Sequence, residues 1–231
     1  MLGIIGGMGP EASCYFYENV IAHTKAEKDQ EHIDMVLLSH ASMPDRTEAI
    51  RTGDDTHLIN LLCNDARTLE TLGASNIAIT CNTSHYFYKH IQNAVKIPVI
   101  NMIQESVNYA VHKYDNVKRV GIMATDGTIG SKIYHKACRK AGVTPVQPSE
   151  ERQADVMSLI YDDIKAGKSG DRAKFDCVVS EFMRKGCDVI ILACTELSVF
   201  KGKHEVASIC LDAMDVLVEE SIRRSGAEYV E

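Results

Sequence analysis

Gly73-Ala74-Ser75-Asn76-Ile77-Ala78-Ile79-Thr80-Cys81 and Gly186-Cys187-Asp188-Val189-Ile190-Ile191-Leu192-Ala193-Cys194 follow the same course. Each leaves a glycine, crosses a short apolar stretch and reaches a cysteine eight residues later. Polar residues that open a helix come next, Asn82-Thr83-Ser84 in one case and Thr195-Glu196 in the other. Such an apolar run reads as a strand buried on both faces, and in an α/β sheet it delivers its last residue to the carboxyl edge, where ligands bind. A helix starting there presents free N–H groups and a positive dipole end, which favour anions and lower a thiol's pKa. Two matched thiols suggest a pair working on one substrate.

The flanks repeat as well. Leu2-Gly3-Ile4-Ile5-Gly6-Gly7-Met8-Gly9-Pro10 corresponds to Val120-Gly121-Ile122-Met123-Ala124-Thr125-Asp126-Gly127-Thr128, with Gly3 matching Gly121 and Gly9 matching Gly127. The period is about half the chain, too long for a solenoid, and fits two homologous α/β lobes. The expected fold class is therefore α/β with two pseudo-symmetric lobes, each a parallel-type sheet flanked by helices, and an active site in the cleft between them.

The rest of the chain supports that architecture. Strand-like runs fall at 2–6, 33–39, 75–80, 97–100, 118–124 and 187–193, with weaker ones at 143–147 and 206–210. Helix-like stretches fall near 10–28, 54–72, 83–95, 103–114, 129–141, 150–166, 171–185 and 212–225. Alternation of this kind argues for parallel sheets covered on both faces. Gly73, Gly142, Gly167 and Gly186 stand where helices should stop. With no Ser/Pro linker, the crossing between lobes is placed near 100–104. The first lobe is expected to comprise 1–102 plus 209–231, and the second 103–208.

A chain of 231 residues with a net charge of −7 can bury sizeable cores, and lacks the concentrated basic surface that nucleic acid requires. No apolar segment approaches the length that spans a bilayer. The N-terminus opens on a strand, Leu2 to Ile5, rather than on a basic-then-apolar signal sequence. Eight cysteines spread over a long chain suit reduced thiols in a cytoplasm, and six of them read as structural small hydrophobes.

Other residue types need weighing. Asn82, Thr83, Ser84, Thr195 and Glu196 can serve an anion or a reactive sulfur, and they equally serve as helix caps. Gly6-Gly7-Met8-Gly9-Pro10-Glu11-Ala12 contains a Gly-x-Gly-x-x-Ala match to the dinucleotide fingerprint. The second strand ends in Leu38-Ser39-His40-Ala41, without the carboxylate that a ribose needs, so a tight turn admitting a small ligand to the backbone is the better account. Arg46, in Met43-Pro44-Asp45-Arg46-Thr47, could clamp a carboxylate or be an ordinary surface arginine. Lys165 near a helix C-terminus could do no more than complement the dipole. His85 follows Cys81 by one turn, but no further ligands complete a zinc site, and it reads as a supporting histidine.

Gly-Gly-Met-Gly-Pro at 6–10, Pro-Asp-Arg-Thr at 44–47, Cys-Asn-Thr-Ser-His at 81–85, Ala-Thr-Asp-Gly-Thr at 124–128 and Cys-Thr-Glu-Leu at 194–197 together resemble the aspartate/glutamate racemases, members of the cofactor-independent amino-acid racemase family. The resemblance runs in order from residue 1 to about 200. It implies the two-lobed fold with the C-terminal helix returning to the first lobe, no cofactor and no metal, a homodimer, and an acidic amino acid as substrate. By that resemblance Cys81 and Cys194 are the catalytic acid/bases. Met8, Gly9, Asn82, Thr83, Ser84 and Thr195 hold the α-carboxylate and ammonium, with Glu196 beside them. Thr125, Gly127 and Thr128 belong to the matching turn of the second lobe. Arg46 and Lys165 meet the side-chain carboxylate. The glutamate-racemase branch usually has aspartate in the first glycine turn and histidine after the second Cys-Thr. Met8 and Glu196 stand there instead, pointing to the aspartate-type branch.

The implied chemistry is inversion of an α-carbon by two bases, one thiolate and one thiol, on opposite faces. Rival expectations are a related same-fold reaction (hydantoin racemisation, maleate isomerisation, arylmalonate decarboxylation), a non-catalytic amino-acid-binding protein, and a nicotinamide oxidoreductase, which the missing ribose carboxylate argues against.

Overall fold

The computed structural model describes all 231 residues. In chain order the elements are β1 (Leu2–Gly6), α1 (Pro10–His23), β2 (Met35–Ser39), α2 (Arg46–Thr52), α3 (Thr56–Thr71), β3 (Asn76–Ile79), α4 (Tyr88–Asn93) and α5 (Met102–Lys113). There follow β4 (Arg119–Met123), α6 (Asp126–Ser131), α7 (Ile133–Lys140), β5 (Thr144–Val146), α8 (Glu150–Ser158), α9 (Arg172–Arg184), β6 (Val189–Leu192), α10 (Thr195–Lys203), β7 (Cys210–Asp212) and α11 (Ala213–Arg224). The chain forms two compact units, one of Met1–Met102 with Met214–Glu231 and one of Ile103–Ala213.

Each unit is built on a parallel sheet flanked by helices, in the order β2-β1-β3 in the first and β5-β4-β6-β7 in the second. The internal repeat reappears as matched register. Gly3 of β1 lies opposite Val36 on one side and Ile77 on the other, and Gly121 of β4 lies opposite Val146 and Ile190. In both units the chain goes from the central strand to one neighbour and then returns to the other side. That reversal creates the switch point at which α/β sheets bind ligands.

The two matched glycines have a packing reason. A Cβ on Gly3 would sit 3.0 Å from Ala74 Cβ and 3.1 Å from Leu69 Cβ, and one on Gly121 would sit 2.8 Å from the Phe182 ring. Leu69 lies on α3 and Phe182 on α9, so each central strand has lost a side chain to let one helix pack close. The first core gathers Ile5, Leu58, Leu62, Leu69, Ile77 and Ile79. In the second unit Val120, Ile122, Phe175, Phe182 and the whole of β6 are buried. Burying a side chain such as Phe182 stabilises by about 1.5–3 kcal/mol.

Several expected elements differ from those observed. Residues 97–100 form no strand: Val99 makes a single parallel bridge to Ile77, because Pro98 has no N–H to extend a ladder. Cys210–Asp212, by contrast, pairs fully with β6 as β7, so residues expected in the returning segment belong to the second sheet. The helix expected over 10–28 stops at His23. The single helix expected over 129–141 is two, because Lys132 takes a left-handed conformation between α6 and α7. That expected over 83–95 begins as a 3-10 turn, Thr83–Phe87, before α4. The helix expected over 150–166 is α only to Ser158 and then widens into a π turn, Leu159–Ile164. Helix α2 had no counterpart among the expected elements, although Asp45 caps it by accepting from the Glu48 amide at 2.9 Å, a recognisable start signal.

Candidate active site

In the first unit the carboxyl ends of β1 and β3 are tied together before any reactive group is reached. The Thr80 amide donates to the Ile5 carbonyl at 3.1 Å, which brings Cys81 just past the end of β3. Ser13, on the first turns of α1, secures both sides. Its Oγ accepts from the Gly7 amide at 2.8 Å, donates to the Gly9 carbonyl at 3.1 Å and lies 3.0 Å from the Thr80 hydroxyl. A Cβ at position 6 would fall 2.6 Å from that Oγ, and one on Gly7, at φ +88°, 2.4 Å from the His40 amide nitrogen. The glycines of 6–7 are therefore demanded by close approach of backbone and side chain. Nothing in the expected site included Ser13; a serine inside an amphipathic helix carries no signal of its own.

Met8 is the hub of this half-site. It is buried, its thioether accepts from the Ser84 hydroxyl at 3.3 Å, and its carbonyl lies 3.4 Å from Arg46 Nη2. Arg46, the first residue of α2, also donates to the Pro44 carbonyl at 3.0 Å. The glycine turn, Arg46 and the segment from Cys81 to Ser84 are thus brought together, with Asn82, Thr83 and Ser84 all buried. The turn's amides and Arg46 can receive a carboxylate there.

His85 locks Cys81 from behind. Its Nε2 lies 3.2 Å from the Met102 amide nitrogen and 3.3 Å from the Ile100 carbonyl oxygen, and its Nδ1 lies 2.8 Å from the Cys81 carbonyl oxygen. Burial pushes its pKa below the usual imidazole value, against the raising effect of its backbone bonds to Cys81, Ile100 and Asn82. Both nitrogens are thereby engaged with backbone. No group of three or more His, Cys, Asp or Glu side chains is disposed to hold a metal ion, and no helix is long and apolar enough to cross a membrane. All eight cysteines are free thiols.

The second unit repeats the arrangement. The Ala193 amide donates to the Met123 carbonyl at 2.8 Å, as Thr80 does to Ile5, and sets Cys194 at the same step beyond β6. Cys194 is the N-cap residue of α10, and Thr195 opens the helix. Thr125 caps α6 by accepting from the Thr128 amide at 3.3 Å, so Thr125, Gly127 and Thr128 form the turn that matches Gly7–Gly9. Gln153 braces that turn through Nε2, which donates to the Ala124 carbonyl at 2.9 Å and to Asp126 at 2.8 Å.

The charge pattern around Cys194 differs from that expected of a thiol at a helix start. Its Sγ donates to Glu196 Oε2 at 2.9 Å, and the other oxygen of that carboxylate meets Lys165 Nζ at 2.6 Å. Burial raises the thiol's pKa well above its ordinary value, the Glu196 carboxylate raises it further, and Lys165 opposes both. Desolvation and a like charge outweigh the helix end. Lys165 reaches Glu196 from the end of the π turn, where its amide donates to Ile160 five residues back at 2.9 Å. Glu196 and Lys165, expected against the substrate, are here partners of each other.

The model of the Asp/Glu/hydantoin racemase family matches residues 5–221. The chain belongs to that family. RacX of Bacillus subtilis, a broad-specificity amino-acid racemase, is 28% identical over 226 residues, which cover 96% of each chain. The aspartate racemase of Picrophilus torridus superposes with a TM-score of 0.86 at 29% identity, over 99% of this chain and 95% of its own. The glutamate racemase of Francisella tularensis, solved with D-glutamate, shares the fold at a TM-score of 0.67 and 21% identity, over 95% of this chain and 78% of its own. Racemase-family membership thus rests on sequence and fold together.

Proposed function

We propose that this protein interconverts the enantiomers of an acidic amino acid, aspartate foremost, by cofactor-independent proton transfer between Cys81, Cys194 and the α-carbon. The observation that carries the proposal is the shared register. Each thiol stands one residue beyond an amide that closes the central strand of its sheet, Thr80 on Ile5 and Ala193 on Met123. Equivalent placement on equivalent sheets suits a reaction whose two half-steps are mirror images. The aspartate racemase and the broad-specificity racemase among its relatives support the substrate class.

In the proposed cycle one sulfur is a thiolate and removes the α-hydrogen as a proton, leaving an electron pair on carbon. The other, a thiol, gives its proton to the opposite face. The sulfurs exchange states, and the reverse reaction restores them. Amides of Met8 and Gly9 and of Asn82–Ser84, with Thr195, stabilise the charge that spreads onto the α-carboxylate. Arg46 turns from the Met8 and Pro44 carbonyls to the side-chain carboxylate, aided by Lys165, and so selects an acidic substrate. A cytoplasmic homodimer belongs to the same proposal, and light scattering reads the oligomeric state.

Proton NMR of the reduced protein with L-aspartate, and separately with L-glutamate, in deuterated water tests the reading. The expected result is loss of the α-hydrogen signal with appearance of the D-enantiomer. Cys81→Ser and Cys194→Ser should each lower turnover by about 100-fold or more. Full turnover in both variants would rule out the two-thiol mechanism. An absence of exchange with either substrate would rule out the racemase reading.

A further inference from the structure

We infer that Glu196 is a positioning residue that sets the protonation state of Cys194, keeping it as the proton-loaded thiol through a Cys194–Glu196–Lys165 relay within the second unit. The inference rests on the proposed racemase reading for its purpose, but not for its geometry. A single buried carboxylate divides its two oxygens, one accepting from Sγ at 2.9 Å and the other meeting the Lys165 ammonium at 2.6 Å. The Thr195 hydroxyl also approaches Oε2, at 3.4 Å. Cys194 and Glu196 are only 6% and 5% exposed, whereas the lysine side chain is 25% exposed. The charge that compensates the carboxylate therefore lies on the wetter side of the relay.

The physics of the arrangement is directional. Loss of the thiol proton would place a thiolate against a carboxylate at hydrogen-bond distance in a dry setting, where like charges strongly oppose one another. The carboxylate therefore holds the proton on sulfur, and the Lys165 ammonium at 2.6 Å offsets the carboxylate's own charge. Within the second unit, a further titratable group coupled to Cys194 is Tyr134 of α7, fully buried. Burial holds it neutral at every working pH despite its bond to Ser106, so it adds no competing charge. In the proposed cycle Cys194 enters as the acid. Its proton passes to the α-carbon, and the thiolate left behind, opposed by the Glu196 carboxylate, is the more basic sulfur and regains a proton in the reverse reaction. The first half differs: after Cys81, whose backbone is clamped by His85, Asn82 stands where Thr195 does and Thr83 where Glu196 does, so the local sequence supplies no carboxylate at the equivalent position.

The test needs no turnover. The rate of iodoacetamide alkylation at Cys194 is followed by peptide mass spectrometry from pH 6 to about pH 11.5 in the full-length protein and in Glu196→Gln, because the parent's midpoint lies well above the ordinary thiol value. The midpoint of the rate against pH reports thiolate formation, whereas the plateau reports access. Glu196→Gln keeps the shape and an acceptor oxygen but leaves Lys165 unopposed. Its midpoint should fall by about one unit or more, which is roughly a tenfold gain in alkylation at neutral pH. A merely structural role would move the plateau and leave the midpoint in place, and that result would overturn the inference. Should Glu196→Gln fail to fold, Lys165→Met tests the same relay through the opposing charge. Its midpoint must shift from that of the parent, and an unchanged midpoint again overturns the relay. Failure of the racemase reading would appear separately, as an absence of α-hydrogen exchange with the Glu196→Gln shift intact.

Discussion

Replacing Ser13 by alanine removes a hydroxyl that serves three partners, and the three losses are unequal. A hydroxyl has one hydrogen to give and two lone pairs. Ser13 Oγ therefore donates to Gly9 and accepts from the Gly7 amide and the Thr80 hydroxyl. After the substitution the Gly9 carbonyl still accepts from the residue-13 amide at 3.3 Å, and Thr80 can turn to the Ile5 carbonyl at 3.5 Å. The buried Gly7 amide loses its acceptor. Stranding such a donor costs about 1–3 kcal/mol, and the weakened Thr80 bond adds about 0.5 kcal/mol, so Ser13→Ala should destabilise by about 1.5–3.5 kcal/mol. Thr80→Val keeps the acceptor for Gly7 and should cost about 1 kcal/mol. Because the two hydroxyls bond to each other, the double variant should lose less than the sum by about 0.5–1 kcal/mol. Urea unfolding followed by circular dichroism reads all three. The same variant loosens the turn proposed to hold the α-carboxylate, so α-hydrogen exchange should fall by about tenfold or more. A Ser13→Ala protein within about 0.5 kcal/mol of the parent, with unchanged exchange kinetics, would refute the claim that this hydroxyl holds the turn.

Gly121→Ala drives a Cβ to 2.8 Å from the Phe182 ring and should cost about 1–3 kcal/mol in urea unfolding, with partial recovery on adding Phe182→Leu. An uncompensated or absent loss would show that β4 does not approach α9 that closely. His85 is buried and neutral in the fold, with its pKa held below the ordinary 6.5. The unfolded chain then binds the extra proton first as pH falls, so this stability is complete above pH 6.5 and is lost as pH falls toward the folded value. The urea midpoint should slope downward from pH 7 toward pH 5, and His85→Asn should flatten that slope; an identical slope in the variant would remove His85 as its source.

The architecture could be read from the chain because its determinants are local and repeated. Glycine followed by aliphatic residues and then cysteine occurs twice, with Gly3 and Gly121 equivalent, and a continuous apolar strand has few fates other than a parallel sheet covered on both faces. The cysteines were legible for the same reason: a strand's last residue must reach the carboxyl edge. Where backbone chemistry intervened at one residue, the reading slipped. Pro98 withholds the N–H that would have made 97–100 a strand, and the π turn at 159–164 arises inside a stretch whose pattern is helical throughout.

Motif and spacing put Cys81, Cys194, Arg46, Lys165 and Glu196 on a short list, since each type has few ways to serve an acidic substrate. Which groups pair with which was a matter of tertiary structure. Residues 13 and 80 are far apart in sequence, as are 165 and 196, and no periodicity encodes that their polar atoms meet. The same packing pushes the Cys194 thiol's pKa up, where a helix start alone would lower it. The helix start that should favour a thiolate is a local feature, visible in Thr195. The burial and the carboxylate that hold the proton on sulfur exist only once α10 and the π turn have closed around it. Sequence determined where the sulfurs stand, because strand and turn propensities act over a few residues. Tertiary structure decided their chemistry, because desolvation and charge pairing depend on what else is folded against them.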